Sequence, residues 1–288
     1  CGVQLQPLVD VLAAEMRKAS VLHADETPVA MLKPGHGKTH RAYLWSYCTT
    51  QFNPVKAVVF DFAESRGGQH VRSFLELTGH PQNPGWQGSL VTDDFSGYKA
   101  CFELGVTEAG CMAHARRKFH ELWANHGSQV GEQALKFFGQ LYEVEREACA
   151  AKTHQRKALR QQRSRPVADA LRQWLTQQRQ KVPDGSATAR AIDYSLNRWA
   201  ALVRFIDDGR LEIGRVEMWR GGGRSRHRCF RPFRLAVPYE PDRGSVSTSP
   251  SSNRTCGSPA SGSLPTHQAF AFERPRSNGS RRISPNFS

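Results

Sequence analysis

The chain has 288 residues and a formal net charge of +14, with 39% hydrophobic residues and a mean hydropathy of −0.57. This length and composition allow one large domain or two ordinary ones with a core. The positive charge favours a polyanionic partner, and the alternative is a basic protein without one. Because no run of about 18 apolar residues exists, we predict no membrane-spanning helix.

The first half of the chain combines short strand-like runs with helical periodicity. Three closely spaced runs lie between turn-forming residues, which predicts an antiparallel meander. Two later strands alternate with helices, which predicts an α/β layered sheet of mixed strand order. The predicted elements are a helix over 5–19, strands over 21–25, 42–48 and 55–62, a helix over 69–77, strands over 88–93 and 106–112, and a helix from near His114.

The second half, from about Ser128 to Ala201, is helical and highly charged. Apolar residues recur at helical spacing, and we expect Pro166 and the Pro183-Asp184-Gly185-Ser186 segment to break the helices. We interpret this region as a helical insertion or subdomain. A plain helical core with no role in DNA binding is the alternative.

Residues 214–288 differ in character, because Gly, Ser, Pro and Arg dominate them. They contain 13 Arg, no Lys and a net charge of +9, which leaves +5 for residues 1–213. Such a composition predicts disorder. An Arg-rich stretch without Lys is also typical of GC-rich DNA read out of frame. We therefore expect a disordered or frameshifted tail, whose arginines could bind DNA nonspecifically.

The chain has seven cysteines, an odd number at irregular spacing. This pattern predicts reduced thiols, and hence a cytoplasmic location. The sequence starts Cys1-Gly2-Val3-Gln4 without an initiator Met, so we expect a piece of a longer protein.

Two segments, His23–Val29 and Leu90–Tyr98, each place a carboxylate at the end of a short apolar run. Asp25 and Asp93 are these carboxylates, and such a pair on rigid strands can hold Mg²⁺ against a phosphodiester. The alternatives are a cap or turn role for Asp25 and an Asx-turn for Asp93. Glu26 would point to the opposite face of its strand, which predicts a structural contact.

Four cations are candidates for binding DNA phosphates. Arg116, Arg117 and Lys118 follow the second carboxylate at the start of a predicted helix, although a solvated helix face is the alternative. Arg66 lies in a Ser-Arg-Gly-Gly loop between a strand and a helix, where we hypothesise a phosphate contact.

Cys111 and His114 have the spacing of half a zinc site. No CxxC or HxxxH partner lies nearby, so a buried thiol beside a hydrogen-bonded His is the favoured interpretation.

In these segments the chain resembles the transposases of the insertion-sequence 66 family, a group of bacterial DDE transposases. The resemblance is carried by three motifs in order, Leu22–Val29, Thr92–Tyr98 and Gly110–Phe119. Ser65-Arg66-Gly67 and Phe205–Leu211 match more weakly, and the resemblance covers about residues 1–213.

The resemblance implies a ribonuclease-H-like catalytic domain. The family's first catalytic Asp corresponds to Asp25 and its second to Asp93, with Asp94 at the family's usual Gly position. The family's third acid follows an Ile-Asp-Asn-Asn segment, but here Ile213 is followed directly by Gly214-Arg215-Val216-Glu217. Glu217 is the nearest candidate, at a shorter spacing than the family pattern. We hypothesise a frameshifted or decayed copy that is also truncated at its N-terminus.

The implied reaction is DNA cleavage at the ends of an insertion sequence, followed by strand transfer into target DNA. Carboxylates would hold two Mg²⁺ (or Mn²⁺) ions for these steps. DNA is the implied partner, and joining two element ends implies a homo-oligomer. Two alternatives stay open: a non-catalytic DNA-binding remnant, or a ribonuclease-H-like nuclease unrelated to transposition.

The predicted fold class is therefore α/β, a ribonuclease-H-like mixed sheet flanked by helices, with a helical insertion and a disordered C-terminal tail. The predicted division is a helical lead-in over 1–20, a catalytic core over 21–127, the helical insertion over 128–213 and the tail over 214–288.

Overall fold

The computed structural model describes residues 2–32, 35 and 37–214. Within them lies a five-stranded mixed sheet in the order β3-β2-β1-β4-β5. The strands are β1 Val21–Leu32, β2 Thr39–Thr49, β3 Val58–Ala63, β4 Ser89–Thr92 and β5 Thr107–Gly110. The first three form the predicted antiparallel meander, and β4 and β5 add to β1 in parallel. The predicted tail lies outside the described residues, apart from Gly214.

Helices flank this sheet on both faces. Their bounds are α1 Gly2–Met16, α2 Gln69–Phe74, α3 Lys99–Glu103, α4 Met112–His126, α5 Gln129–Ala148, α6 Thr153–Leu159, α7 Arg165–Arg179, α8 Ala187–Asn197 and α9 Trp199–Asp207. The arrangement confirms the predicted α/β class and is consistent with a ribonuclease-H-like fold. None of the helices in the described part of the chain has the length and apolar character that crossing a bilayer needs.

Each face of the sheet buries its own core, because successive strand residues point to opposite faces. Val21 belongs to one core and Leu22 to the other. What we call the α1 core joins the sheet to α1, α2 and α3, with Leu22, Leu90, Trp45, Met16, Val71 and Cys101. What we call the α4 core joins the sheet to α4, α5, α7, α8 and α9, with Val21, Val91, Ala109, Phe119, Phe138, Leu171, Ile192 and Leu202. The helical segment that follows Ser128 therefore shares a core with the sheet.

Strand β1 extends to Leu32, well past the predicted end at Asp25, and includes Pro28. β4 pairs only with Val21–His23, so beyond that point β1 has a neighbour, β2, on one side only. Proline lacks a backbone N–H and is tolerated on such an edge. Asp25 consequently lies within a strand and is neither a helix cap nor a turn residue.

The expected helix break at Pro166 is wrong. A wide π-helical turn over Arg160–Ser164 joins α6 to α7, and Pro166 lies in the first turn of α7. A proline clashes with the carbonyl four residues earlier in a regular helix, and a local widening accommodates it. The predicted break at residues 183–186 is confirmed, because α7 ends before it and α8 begins after it.

Arg160 is fully buried and forms hydrogen bonds with the end of α9 and the segment that follows it. Its guanidinium pairs with Glu145 at 2.6–2.7 Å and donates to the carbonyls of Phe205, Asp208 and Leu211 at 2.8, 3.1 and 3.0 Å. Beyond that segment, the backbone N–H of Met112 donates to the carbonyl of Ile213 at 3.0 Å. The described chain therefore ends at the N-terminus of α4.

Candidate active site

Asp25 lies within β1, and Asp93 directly follows the end of the neighbouring strand β4. His23 lies opposite Val91 in the parallel β1–β4 pair, and each Asp is two residues further along its own chain. Residues two apart on a strand share a face. Asp25 consequently points to the same face as Val21, and Asp93 is close enough for its charge to act on Asp25.

One oxygen of each carboxylate is engaged by a backbone N–H. Asp25 Oδ1 accepts a hydrogen bond from the N–H of Glu26 at 3.1 Å, and Asp93 Oδ1 accepts one from that of Phe95 at 2.9 Å. The second bond is an Asx-turn, the alternative predicted for Asp93, and it uses one oxygen only. Within the described residues, the second oxygen of each group makes no hydrogen bond, so both remain available to a ligand.

Burial raises the pKa of Asp25 most strongly, and the neighbouring charge of Asp93 raises it further, although His114 opposes these effects. Burial lowers the pKa of His114, but its interaction with Cys111 and the charges of Asp25 and Asp93 outweigh burial and raise it overall. The site therefore combines two mutually repelling carboxylates with an imidazole that retains its proton more readily than usual.

Cys111 is a buried thiol that interacts with His114, whose Nδ1 is buried without a hydrogen-bond partner among the described residues. The hydrogen-bonded His of the favoured interpretation stays a prediction. Among the described residues no group of three His, Cys, Asp or Glu side chains is arranged to hold a metal ion.

The three cations of α4 point in different directions, because consecutive helix positions are about 100° apart. Arg117 is exposed and acts on Asp25, whose pKa it lowers slightly. Lys118 lies over the ring of Tyr194, with Nζ 4.3 Å from the ring centroid. Arg116 is half-buried near Tyr142. Arg117 is thus an α4 cation whose charge acts on Asp25.

Arg66 is engaged elsewhere, near the opposite face of the sheet. Its guanidinium bonds to the buried carboxylate of Glu26, and its Cζ lies 3.9 Å from the ring centroid of Phe95. The structural contact predicted for Glu26 is thus present. Its partners Arg66 and Tyr98 could not be identified from the sequence, because they lie 40 and 72 residues away along the chain.

Asp94 and Glu217 are not part of the observed pair. Asp94 is exposed and lies 3.3 Å from Nε of Arg198. Glu217 lies outside the described residues. A buried acid that the sequence did not single out, Glu212, has Oε2 3.5 Å from Nε2 of His23, two residues before Asp25 on β1.

Comparison with known proteins gives one family match and several partial-length relatives. Residues 1–215 match the family described as "Transposase IS66 family". Two similar proteins of Sinorhizobium fredii (strain NBRC 101917 / NGR234) are "Uncharacterized protein y4qI", 34% identical over 224 residues, and "Uncharacterized protein y4hP", 29% identical over 228 residues. The matches cover 74% and 72% of this chain but 40% of each relative's length. The chain belongs to the IS66 family of transposases.

Proposed function

We propose that this chain is the catalytic portion of a DDE-type transposase that cleaves and rejoins DNA with Mg²⁺ (or Mn²⁺). Membership of the family supports a transposase role. The observation that carries the proposal is the matching register of Asp25, within β1, and Asp93, directly after the paired parallel strand β4. DNA is the proposed substrate, and joining two element ends would require a homo-oligomer.

The donor set fits a hard divalent cation. Mg²⁺ prefers oxygen ligands and keeps several waters, so two carboxylates offering one uncommitted oxygen each can hold it. A cation between them would also relieve the repulsion that raises the pKa of Asp25. When bound, the ion would lower the pKa of an attacking water and stabilise the leaving oxygen.

The surrounding cations have complementary roles in this proposal. Arg117 is exposed beside the carboxylates, where its guanidinium can bind a DNA phosphate. His114 lies next to the same pair, and its raised pKa means that it holds a proton more readily than a free imidazole does. Arg116 and Lys118 contribute to the basic surface of α4, while the guanidinium of Arg66 is already paired with Glu26.

Glu217 is the proposed third acid. It follows Gly214 by three residues, and an extended chain spans at most about 10 Å over that length. Gly214 lies against the backbone of Met112 and Ala113, close to His114 in the chain. We retain the hypothesis that the reading frame changes near this point. Sequencing the encoding locus for a family-like segment in another frame tests it.

A cleavage assay on duplex DNA carrying the element's end tests the proposal. Wild-type protein with Mg²⁺ is expected to nick the end, and Asp25→Asn is expected to lower the rate at least about a hundredfold, or nearly 3 kcal/mol. Asp94→Asn, an equal chemical change on an exposed neighbour of the site, should nick at the wild-type rate. Equal rates in Asp25→Asn and wild type would refute the assignment of Asp25.

A non-catalytic DNA-binding remnant is the second candidate. The observation favouring it is that no third metal-ligating side chain joins the two carboxylates within the described residues. Fluorescence anisotropy with labelled DNA separates the candidates. Retained DNA binding without Mg²⁺-dependent nicking would support the remnant.

A further inference from the structure

Glu26 directly follows Asp25 on β1 but points into the α1-core side of the sheet. Its side chain is only 1% exposed, and three hydrogen bonds satisfy it. Oε1 accepts from Nε and Nη2 of Arg66 at 2.9 and 2.5 Å, and Oε2 accepts from the hydroxyl of Tyr98 at 2.5 Å. We call Glu26, Arg66 and Tyr98 the Glu26 network.

Two members of this network reach the loop that begins at Asp93. Tyr98 lies in that loop, and its N–H donates to the carbonyl of Phe95 at 3.1 Å. The backbone N–H of Phe95 in turn donates to Asp93 Oδ1, and the guanidinium of Arg66 stacks over the Phe95 ring. The network therefore connects the residue after Asp25 to the short turn that orients Asp93.

The loop that supplies Arg66 is itself seated on the Asp93 loop. A Cβ placed on Gly68 would lie 2.2 Å from the carbonyl oxygen of Gly97, so the two backbones touch where no side chain fits. Arg66 consequently reaches Glu26 from a loop whose backbone packs against the Asp93 loop. This gives a physical reason for the Ser65-Arg66-Gly67 segment that does not involve DNA.

We infer that the Glu26 network fixes the separation of Asp25 and Asp93, and that its three members are positioning residues for the cation the two carboxylates share. The inference rests on the proposed function. Burying the carboxylate of Glu26 costs free energy that its partners must first offset, so stability alone does not account for an acid at this position. What the network supplies is geometry, because a bidentate arginine and a short hydroxyl bond each allow little movement.

Mn²⁺ binding to the full chain, measured from the electron paramagnetic resonance signal of the free ion, tests the inference without DNA or turnover. Tyr98→Phe removes one hydroxyl and keeps a ring that packs edge-on to Trp45 at 6.0 Å. We expect the Mn²⁺ dissociation constant to rise about tenfold, as for other groups that orient metal ligands. Thermal unfolding should shift by only a few degrees.

Tyr47→Phe is the matched control. Tyr47 lies in the same α1 core, and its buried hydroxyl has no hydrogen-bond partner among the described residues. Its Mn²⁺ affinity should equal that of the wild type. Arg66→Lys is a second test. The Arg66 side chain is 42% exposed, so the substitution keeps the positive charge and leaves the core intact. It removes the paired hydrogen bonds that the guanidinium donates to Glu26. It too should weaken Mn²⁺ binding about tenfold.

The outcomes test the positioning role of the Glu26 network and the proposed function separately. If Asp25→Asn loses Mn²⁺ while Tyr98→Phe and Arg66→Lys bind it as the wild type does, the positioning role is overturned and the metal site stands. If the wild-type chain binds no Mn²⁺, or Asp25→Asn binds it unchanged, both the network's role and the proposed function fall.

Discussion

At the scale of single residues, the ionised carboxylate of Asp25, a proposed metal ligand, lowers the stability of the metal-free protein. Burial first, and then the charge of Asp93, raise its pKa in the folded protein. A group with a higher pKa folded than unfolded binds its proton more tightly in the folded state, so stability falls as pH rises between the two values. We therefore expect Asp25→Asn to raise the free energy of unfolding at pH 7 by about 1 kcal/mol, measured by urea denaturation in EDTA.

The pH dependence supplies the control for this effect. The gain should shrink as pH falls through the folded pKa of Asp25, because the wild-type carboxyl then becomes neutral as well. Asp94→Asn changes an exposed carboxylate paired with Arg198 and should bring no gain. Added Mg²⁺ should stabilise the wild type and leave Asp25→Asn unchanged. A loss of stability in metal-free Asp25→Asn would contradict the prediction.

The carboxylates could be predicted from the sequence because the signal is local, an acid at the end of a short apolar run. Their environment could not. The partners of Glu26 and the pairing of Asp94 with Arg198 depend on strand register and on loops that are distant in sequence. Arg66 shows the consequence, since a cation in a glycine-rich loop suggested a phosphate contact, whereas its guanidinium is bound to a buried carboxylate.

At the scale of elements, apolar periodicity predicted the meander and the parallel strands, but it failed where an element is very short or charged. Helix α3 has only five residues and carries too little periodicity to be recognised. The continuous α6–α7 segment was not predicted, because Pro166 indicated a helix break. Arg160, which lies in the π turn between them, is wholly buried although its residue type predicts exposure.

Arg160 is therefore the residue at which to test the helical segment. Arg160→Met would leave the Glu145 carboxylate, 12% exposed, without its cation, and would free three carbonyl groups between Phe205 and Leu211. Removing one partner of a buried pair costs about 3–5 kcal/mol. We expect a loss of that size in urea unfolding.

Arg163→Met is the matched control on the same π turn. Its ion pair with Glu147 is exposed on both sides, at 45% and 52%, and such pairs contribute roughly 0–1 kcal/mol. Equal losses of unfolding free energy in the two variants would show that burial does not account for the contribution of Arg160 to stability.

At the scale of the whole molecule, net charge is unevenly distributed along the chain. Residues 1–213 contain the sheet, both described cores and a net charge of +5, while residues 214–288 carry +9. The hydrogen bond from Met112 to Ile213 joins the last described segment to α4. The described fold and most of the net positive charge consequently belong to different stretches of sequence.

A chain that ends after Gly214 should therefore keep its fold and lose much of its nonspecific affinity for DNA. We expect the urea midpoint of residues 1–214 to match that of the full chain, because the contacts just described stay intact. Binding to random-sequence DNA should weaken and depend less steeply on salt, since fewer arginines displace counterions. Anisotropy titrations across a salt series measure that slope. A lower midpoint in the shorter chain would mean that residues beyond Gly214 contribute to the fold, and an unchanged salt slope would place the DNA contacts on basic residues such as Arg117.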